Sequence, residues 1–321
     1  MNILITEGNE YSIDAIREYE KVGSVTVLKS DDLDEILTHL PDTDVLVVKL
    51  KYTWTKEILE KAERLKYIVT STTGLNHIFL PETSKIKIIS LKGEVEFLKT
   101  ITPTAELTWG LILTLYRDIF NAISSVSQGR WERNEHLGVE LKGKVIGIIG
   151  YGRIGKMVAK YASAFDMQVL AHDLEKVAFD HDNLINNVEQ VDLEYLLKRS
   201  DIITLHLPLD LSTRNFLSKD KLSHMKHDAI FINTSRGEIV DELHLLYMLE
   251  NDLLRGAALD VLSEEVSGNE HWMKKNKLIN SELVGSRLII TPHIGGACID
   301  SMRNTENFVA NKFTSRIWKK S

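Results

Sequence analysis

Three loops in the second half of the sequence carry an arginine, two acidic residues and a histidine, each shortly after an apolar segment. Arg236 follows AIFINTS, Glu264 and Glu265 follow AALDVLS, and His293 follows LIITP. Reduction of a 2-keto acid needs a cation that grips the carboxylate and polarises the ketone, and an acid that protonates the developing alkoxide. Arg236 and His293 match these needs. Glu265 or Glu264 is the candidate carboxylate that orients the histidine and stabilises its protonated form.

A glycine-rich motif, GYGRIG, lies between the apolar segment VIGII and the helical pattern KMVAKYASAF. This context is typical of a dinucleotide-binding turn. Gly150 permits the tight turn, Gly152 lets the backbone approach a pyrophosphate, and Gly155 allows the helix to pack closely on the strand. We therefore predict that the whole motif binds the cofactor, including Arg153 and Ile154.

The apolar segment after this motif, QVLAHD, ends in Asp173. This position is about 20 residues beyond the glycines, where a carboxylate accepts hydrogen bonds from the adenosine ribose hydroxyls. Asp173 would repel the 2'-phosphate of NADP, and neither Leu174 nor Glu175 is an arginine that would bind it. The predicted cofactor is therefore NAD. The alternative is an accidental glycine turn followed by an exposed aspartate.

Short β-rich segments alternate along the chain with segments of helical periodicity, and these elements must position the candidate residues. The alternation is typical of parallel sheets covered by helices on both faces. A length of 321 residues favours two such domains. The predicted strands are residues 3–6, 25–28, 45–48, 67–70, 87–89, 145–149, 168–171, 202–205, 229–232, 257–259 and 288–290.

Between the two halves, Thr102-Pro103-Thr104 precedes a long apolar stretch, residues 105–126, which we interpret as a hinge followed by one long helix. A polar break, residues 129–144, separates this helix from the next strand. Residues 300–318 have the apolar spacing of a last helix. Another part of the chain must cover that apolar stripe.

The composition argues against several classes of protein. A net charge of -7 without a long basic run disfavours nucleic-acid binding. The most apolar stretch, residues 107–116, is about half the length that a bilayer requires. The start, MNILITEG, lacks the features of a signal peptide. The single cysteine, Cys298, leaves no internal disulfide and no cysteine-cluster metal site. We expect a cytoplasmic protein that binds no metal and no membrane.

Segments along nearly the whole chain resemble the D-isomer-specific 2-hydroxyacid dehydrogenases, a family that includes phosphoglycerate, glycerate and D-lactate dehydrogenases. They are LKYIVTSTTGLNHI, TAELTWGLILTLYRDI, QGRW, LKGKVIGIIGYGRIGK, HLPLDLSTRNFLS, INTSRGEIVDE, GAALDV and TPHIGGA. The resemblance implies NAD-dependent interconversion of a small 2-keto acid and its D-2-hydroxy acid. It identifies Arg236, Glu265 and His293 as the catalytic residues.

The same resemblance implies further binding residues. Asp260 is expected to hold the nicotinamide carboxamide. Thr73 and Gly74 are expected to bind the substrate carboxylate, and Lys49 to contact the substrate beside Arg236 and His293. The residues expected to line the cofactor cleft are His206, Pro208, Thr234 and Ser235.

The family fold implies a Rossmann NAD-binding domain, residues 102–294, inserted in a flavodoxin-like substrate domain, residues 1–101 and 295–321. A homodimer through residues 105–144 is expected. The sequence departs from the family where Glu-Pro reads Glu265-Val266, and in a longer segment, residues 266–286, which includes Trp272 and is interpreted as a helix that shapes substrate choice or a partner surface.

Two alternatives remain open at this point. One is an NAD-sensing dimeric scaffold or corepressor-like binding protein of the same fold, although the intact arginine, glutamate and histidine favour an enzyme. The other is a dehydrogenase of the same fold that acts on phosphite, formate or an amino acid.

Overall fold

A computed structural model describes residues 1–29, 32–174, 188–265 and 270–318. Contacts between Cα atoms divide the chain into one unit of Met1–Ile101 with Ala297–Ser321, and a second unit of Thr102–Gly296. Gly295 and Gly296, expected in the first domain, belong to the second unit, since the Gly295 N–H donates to the Asp260 carboxylate at 2.7 Å. Glu175 and residues 266–269 of the long segment lie outside the described residues.

The secondary-structure elements follow one another in the alternating order expected of two α/β units. The strands are β1 (Asn2–Ile5), β2 (Ser24–Val27), β3 (Val45–Val48), β4 (Tyr67–Thr70), β5 (Lys87–Ile89), β6 (Val145–Ile149), β7 (Gln168–His172), β8 (Val188–Gln190), β9 (Ile202–Leu205), β10 (Ile230–Asn233), β11 (Gly256–Leu259) and β12 (Leu288–Ile290). The helices are α1 (Ile13–Glu20), α2 (Leu33–His39), α3 (Lys56–Leu59), α4 (Val95–Leu98), α5 (Pro103–Tyr116), α6 (Ile119–Ser127), α7 (Arg153–Ala164), α8 (Leu193–Arg199), α9 (Lys219–Leu222), α10 (Glu242–Glu250), α11 (Glu270–Lys275) and α12 (Ile299–Trp318).

The first unit contains a parallel sheet with the strand order β2-β1-β3-β4-β5, which is the flavodoxin-like order. Alternate residues of its strands face two separate cores, as the two-residue period of a strand requires. One core contains α1 and α12, and the other contains α2 and α3. Phe313 of α12 is fully buried between the rings of Tyr19 and Tyr67, with ring centroids 5.9 and 5.4 Å away. The first unit therefore covers the apolar stripe of the last helix.

The second unit contains a parallel sheet with the order β12-β11-β10-β9-β6-β7-β8. This is the Rossmann order with one further strand, β12, beside β11. The central strands β9, β10 and β11 are buried along their whole length, because helices pack on both faces of a doubly wound sheet. The predicted fold class is thus confirmed in both sheets.

The prediction of one long helix over residues 105–126 is wrong. The structure has two helices, α5 and α6, separated at Arg117 and Asp118. Asp118 adopts a left-handed backbone conformation, with φ of 51°, which an α-helix cannot contain. Its carboxylate is fixed by the ring of His136, whose Nδ1 lies 2.6 Å from Oδ2. This interaction stabilises the break.

Membrane-spanning helices and metal-binding side-chain clusters are both absent from the described residues. Within these ranges, no helix is both long and apolar enough to cross a membrane. The same residues contain no cluster of three or more His, Cys, Asp or Glu side chains that could hold a metal ion.

Candidate active site

The order of strands in the second sheet reverses between β6 and β9. Ligands of open parallel sheets bind at such a point, beyond the carboxyl ends of the strands. Gly150 follows β6 with φ of +91°, and His206 follows β9. A Cβ atom on Gly150 would lie 2.8 Å from the carbonyl group of His206. The two loops therefore approach so closely that only glycine fits at position 150.

Helix α7 begins directly after the glycine turn, with Arg153 and Ile154 in its first turn. Gly152 is the N-cap and provides no side chain to the backbone N–H groups of that turn. A Cβ atom on Gly152 would meet no heavy atom of the described chain within 4 Å, whereas one on Gly155 would lie 2.3 Å from the Gly150 carbonyl oxygen. The first position leaves open space at the positive end of a helix, where phosphates bind. The second allows the helix to pack against the turn.

Asp173 lies directly after β7, the strand beside β6. Its Oδ2 atom accepts a hydrogen bond from the Tyr151 backbone N–H at 2.8 Å. The carboxylate is therefore next to the glycine turn, as binding to the ribose beyond a pyrophosphate would require.

His206 has both ring nitrogens buried without a hydrogen-bond partner among the described residues. Burial lowers its pKa to about 3, so the ring is neutral at physiological pH. An unpaired polar group in a buried position is expensive, and it indicates a site that a polar ligand completes. Together with the open space at Gly152 and the carboxylate of Asp173, this ring fits a dinucleotide.

The other cofactor candidates differ in exposure. Thr234 and Ser235 are buried after β10, and Pro208 is exposed two residues after His206. The Thr234 hydroxyl shares a hydrogen bond of 3.0 Å with the Thr108 hydroxyl of α5. Ser235 donates to Asn233 through both its backbone N–H and its hydroxyl, at 2.9 and 2.8 Å. The loop after β10 is therefore held rigidly.

A hydrogen bond joins the His293 Nδ1 and the Glu265 Oε1 atoms. The second oxygen of Glu265 accepts the Leu262 N–H at 3.2 Å. Both side chains are about one-third exposed, at 30% and 32%. The structure thus chooses Glu265 over Glu264 as the partner of the histidine. The imidazole is fixed by one nitrogen, and the other nitrogen remains for a ligand.

The loop that carries His293 is organised by Asp260. The buried carboxylate of Asp260 accepts hydrogen bonds from the Thr291 hydroxyl at 2.6 Å and from the N–H groups of Ile294 and Gly295 at 2.8 and 2.7 Å. Burial raises the pKa of Asp260, and the three hydrogen bonds act in the opposite direction. These bonds flank His293, which is in the left-handed region with φ of 54°. Such a conformation costs roughly 1–2 kcal/mol for a side chain other than glycine, so the surrounding loop must hold it.

Arg236 follows β10 and is half-buried, and its guanidinium donates to the Ser235 carbonyl oxygen at 2.6 Å. The Asn233 amide donates to the Arg236 carbonyl oxygen at 2.9 Å. A Cβ atom on the next residue, Gly237, would lie 2.1 Å from the backbone of Leu262 and Ser263. The Arg236 loop thus touches the loop that leads to Glu265. The three candidate catalytic residues follow β10, β11 and β12, which are neighbours in the sheet, so all three lie along the edge formed by the carboxyl ends of these strands.

Glu242 is a further acidic residue at this edge that the sequence reading missed. Its Oε1 atom accepts the Ser263 N–H at 2.8 Å, two residues before Glu265. Burial raises the pKa of Glu242 to about 7, and the neighbouring carboxylates of Glu238 and Glu265 add to the increase. Acidic residues are common in the first turn of a helix, because the helix dipole favours a negative charge there. The sequence alone therefore gives no reason to expect that Glu242 contacts Ser263.

The first unit holds the predicted substrate contacts Lys49, Thr73 and Gly74. Lys49 follows β3, and Thr73 and Gly74 follow β4, so the three lie at the carboxyl end of neighbouring parallel strands. Thr73 is exposed, and the Gly74 carbonyl oxygen accepts the Thr72 hydroxyl at 2.8 Å. The Lys49 ammonium is engaged in an ion pair of 2.6 Å with Glu306 of α12.

Comparisons with known proteins agree with this geometry. Residues 109–295 match the family described as D-isomer specific 2-hydroxyacid dehydrogenase, NAD binding domain. The sequence is 36% identical over 302 residues to the D-3-phosphoglycerate dehydrogenase of Methanocaldococcus jannaschii, covering 93% of this chain and 54% of that protein. It is 36% identical over 272 residues to the hydroxypyruvate reductase of Thermotoga maritima, covering 84% of this chain and 83% of that one.

Among solved structures, the fold is similar to that of the D-lactate dehydrogenase from Aquifex aeolicus in complex with NAD and lactic acid. The TM-score is 0.81 at 26% sequence identity, and the match covers 99% of this chain and 96% of that chain. The chain spans about half the length of the Methanocaldococcus jannaschii relative and most of the length of the other two proteins.

Proposed function

Because the chain belongs to the D-isomer-specific 2-hydroxyacid dehydrogenase family, with an NAD-binding domain over residues 109–295, we propose that it interconverts a small 2-keto acid and its D-2-hydroxy acid. The observation that carries this proposal is the hydrogen bond between His293 and Glu265 at the sheet edge that also holds Arg236. When bound, the reduced cofactor would supply the hydride that reduces the keto carbon, and the oxidised cofactor would accept a hydride from the same carbon of the hydroxy acid.

His293 is the proton donor in the direction of reduction. Glu265 fixes Nδ1, so the ring presents Nε2 to the substrate and gives up a proton there to the keto oxygen. The ring then carries one proton less and regains it from solvent. In the oxidation direction, the same nitrogen accepts the hydroxyl proton. The Glu265 carboxylate stabilises the positive charge that the ring carries when protonated.

Arg236 supplies the positive charge that holds the substrate carboxylate and polarises the keto group. The Arg236 backbone is fixed by the hydrogen bond from Asn233 and by the contact of Gly237 with the 262–263 backbone. These contacts position the arginine side chain for the substrate. We propose Lys49, Thr73, Gly74, Arg236 and His293 as the substrate-binding residues.

The proposed NAD-binding residues serve three purposes. The glycine turn and the start of α7 bind the pyrophosphate, Asp173 binds the adenosine ribose, and the remaining side chains line the cleft. Asp260 holds the nicotinamide carboxamide and also organises the loop that carries His293. The full set is Gly150, Gly152, Arg153, Ile154, Gly155, Asp173, His206, Pro208, Thr234, Ser235 and Asp260.

The test is NADH oxidation by the purified protein with glyoxylate, hydroxypyruvate, pyruvate, 2-ketoglutarate and phosphohydroxypyruvate, repeated with NADPH. We expect turnover with at least one of these acids and a preference for NADH. A protein that binds NADH but turns over none of the five acids would contradict the proposal and favour an NAD-sensing scaffold.

We further propose a homodimer whose interface includes α6 and the residues that follow it. Ile123, Val126, Trp131 and Leu137 expose 65%, 53%, 87% and 70% of their surface. Such a concentration of exposed apolar side chains is unusual for an uncovered surface. A second copy of the chain, related by a twofold axis, would bury the same side chains on both subunits.

The dimer is tested by sedimentation of wild type and Ile123→Asp. We expect the wild type to sediment as a dimer and the variant as a folded monomer, since the substitution buries a charge at the interface. A monomeric wild type would refute this interface.

We place the protein in the cytoplasm, since the one cysteine, Cys298, is an exposed free thiol that fits a reducing compartment.

A further inference from the structure

The first unit has its own point of strand reversal, between β1 and β3. Lys49 directly follows β3, and Glu7 follows β1 by two residues. The Glu7 carboxylate accepts the backbone N–H groups of Lys49 at 2.8 Å and of Lys51 at 3.2 Å. Since ligands of open parallel sheets bind beyond such a reversal, the topology of the first unit alone places Lys49 at a ligand-binding edge.

The positive charge of Lys49 is already compensated within the first unit. Its ammonium lies 2.6 Å from the Oε1 atom of Glu306, and the two side chains are 15% and 1% exposed. The other oxygen of Glu306 accepts the Ser12 N–H at 2.7 Å. The ring of Tyr11 lies 4.9 Å from the same ammonium. The Lys49 ammonium therefore lies against a buried carboxylate and an aromatic ring.

A phosphate group on a substrate adds up to two negative charges and needs cations that are not already paired. At Lys49 such a group would meet an ammonium that is already paired with a carboxylate oxygen 2.6 Å away. Two negative groups that share one cation repel each other, and the repulsion is strong where water is excluded. An uncharged hydroxymethyl, methyl or hydrogen substituent has no such conflict.

We propose that Glu306 is a specificity-determining residue, which neutralises Lys49 and restricts the protein to 2-keto acids without a phosphate on their side chain. The substrate class is then that of glyoxylate, pyruvate and hydroxypyruvate. This inference rests on the proposed function. It adds that the substrate is a 2-keto acid without a phosphate group.

The experiment compares hydroxypyruvate with phosphohydroxypyruvate, which differ by the phosphate group alone, at one ionic strength and saturating NADH. For wild type we expect kcat/KM for hydroxypyruvate to exceed that for phosphohydroxypyruvate at least tenfold. In Glu306→Gln, the amide oxygen still accepts the Ser12 N–H, but the carboxylate paired with the Lys49 ammonium is lost. We expect the ratio to move by roughly tenfold toward the phosphorylated acid.

The matched control is Glu94→Gln. Glu94 pairs with Lys312 at 2.6 Å in the same unit, away from the reversal point, so its loss should leave the ratio within twofold of wild type. If Glu306→Gln does not fold, inhibition of the wild type by D-glycerate and by 3-phosphoglycerate still tests whether the protein excludes the phosphorylated acid, and stronger inhibition by 3-phosphoglycerate would overturn the proposal. We expect D-glycerate to be the stronger inhibitor.

A wild type that prefers phosphohydroxypyruvate, or a folded Glu306→Gln with an unchanged ratio, would overturn the role of Glu306 while the proposed function stands. Turnover with none of the 2-keto acids would overturn the proposed function, and this inference with it.

Discussion

The Nδ1 atom of His293 is hydrogen-bonded to the Oε1 atom of Glu265, although the two residues are 28 positions apart in the sequence. The histidine is held in a left-handed conformation by a loop whose N–H groups bond to Asp260. A substitution at this position must therefore tolerate a positive φ if it is to report on chemistry and not on folding.

Asparagine meets that requirement, because it adopts the left-handed region readily. We expect His293→Asn to lower kcat by about 10²–10⁴, since it removes the proton donor. Its affinity for NADH, measured by fluorescence titration, should stay within about threefold of wild type. His39→Asn, at the exposed end of α2, is the control. Undiminished turnover in His293→Asn would remove the histidine from the mechanism.

The two glycines at the start of α7 should respond differently to a methyl group. Gly152→Ala places its Cβ in open space, so the melting temperature should stay unchanged while the Kd for NADH rises at least tenfold. Gly155→Ala forces its Cβ to within 2.3 Å of the Gly150 carbonyl oxygen. We expect it to lose about 1–3 kcal/mol of stability. Thermal melts with NADH titrations separate the effects, and a Gly152→Ala variant with wild-type affinity would refute the proposed cofactor position.

The choice between NADH and NADPH should depend on Asp173. Asp173→Asn removes the charge but keeps an oxygen that accepts the Tyr151 N–H. We expect the ratio of kcat/KM for NADH over NADPH to fall about tenfold, because the repulsion of the 2'-phosphate is lost. Asp166→Asn, an exposed left-handed position on the same unit, serves as the control. An unaltered ratio in Asp173→Asn would show that this carboxylate does not face the ribose.

Stability should depend on pH through Glu242. Burial raises the pKa of Glu242 to about 7 in the folded protein, above its value in the unfolded chain. Between about pH 4.5 and 7 the unfolded chain loses this proton while the folded protein keeps it, so the contribution of Glu242 to stability falls as the pH rises.

Glu242→Gln does not titrate and keeps an acceptor for the Ser263 N–H. We therefore expect it to gain stability relative to wild type from pH 5 to pH 8, by no more than about 3 kcal/mol. Urea unfolding at the two pH values measures this gain, and Glu250→Gln at the exposed end of α10 is the control. Parallel pH dependence of wild type and Glu242→Gln would contradict the burial of a protonated carboxyl group.

The sequence predicts the central strands well because both faces of each strand are buried. The apolar segment Val45–Val48 is a strand in full, and so is Ile202–Leu205. Strand β8 (Val188–Gln190) was missed, since it lies at the edge of its sheet and two of its three residues are polar. The break between α5 and α6 depends on one left-handed aspartate, Asp118, whose conformation no local propensity reveals.

The site, like the fold, is predicted from the sequence only in part. The loops that carry Arg236 and His293 can be located from the sequence, because the carboxyl ends of parallel strands collect the ligand-binding groups. The choice between Glu264 and Glu265 depends on the left-handed φ of Glu264, at 56°, which brings its neighbour to the histidine. The contact of Glu242 with Ser263 joins residues 21 apart through tertiary packing, and a linear pattern contains no sign of it.

The return of α12 to the first unit determines the order in which the protein is completed during translation. Strands β1 to β5 leave the ribosome without the helix that supplies Val309, Ala310 and Phe313 to their core. All of the second unit is synthesised in between, which takes roughly 10 to 40 s at ordinary elongation rates. The nascent chain therefore exposes one apolar face of the first sheet while the whole second unit is synthesised.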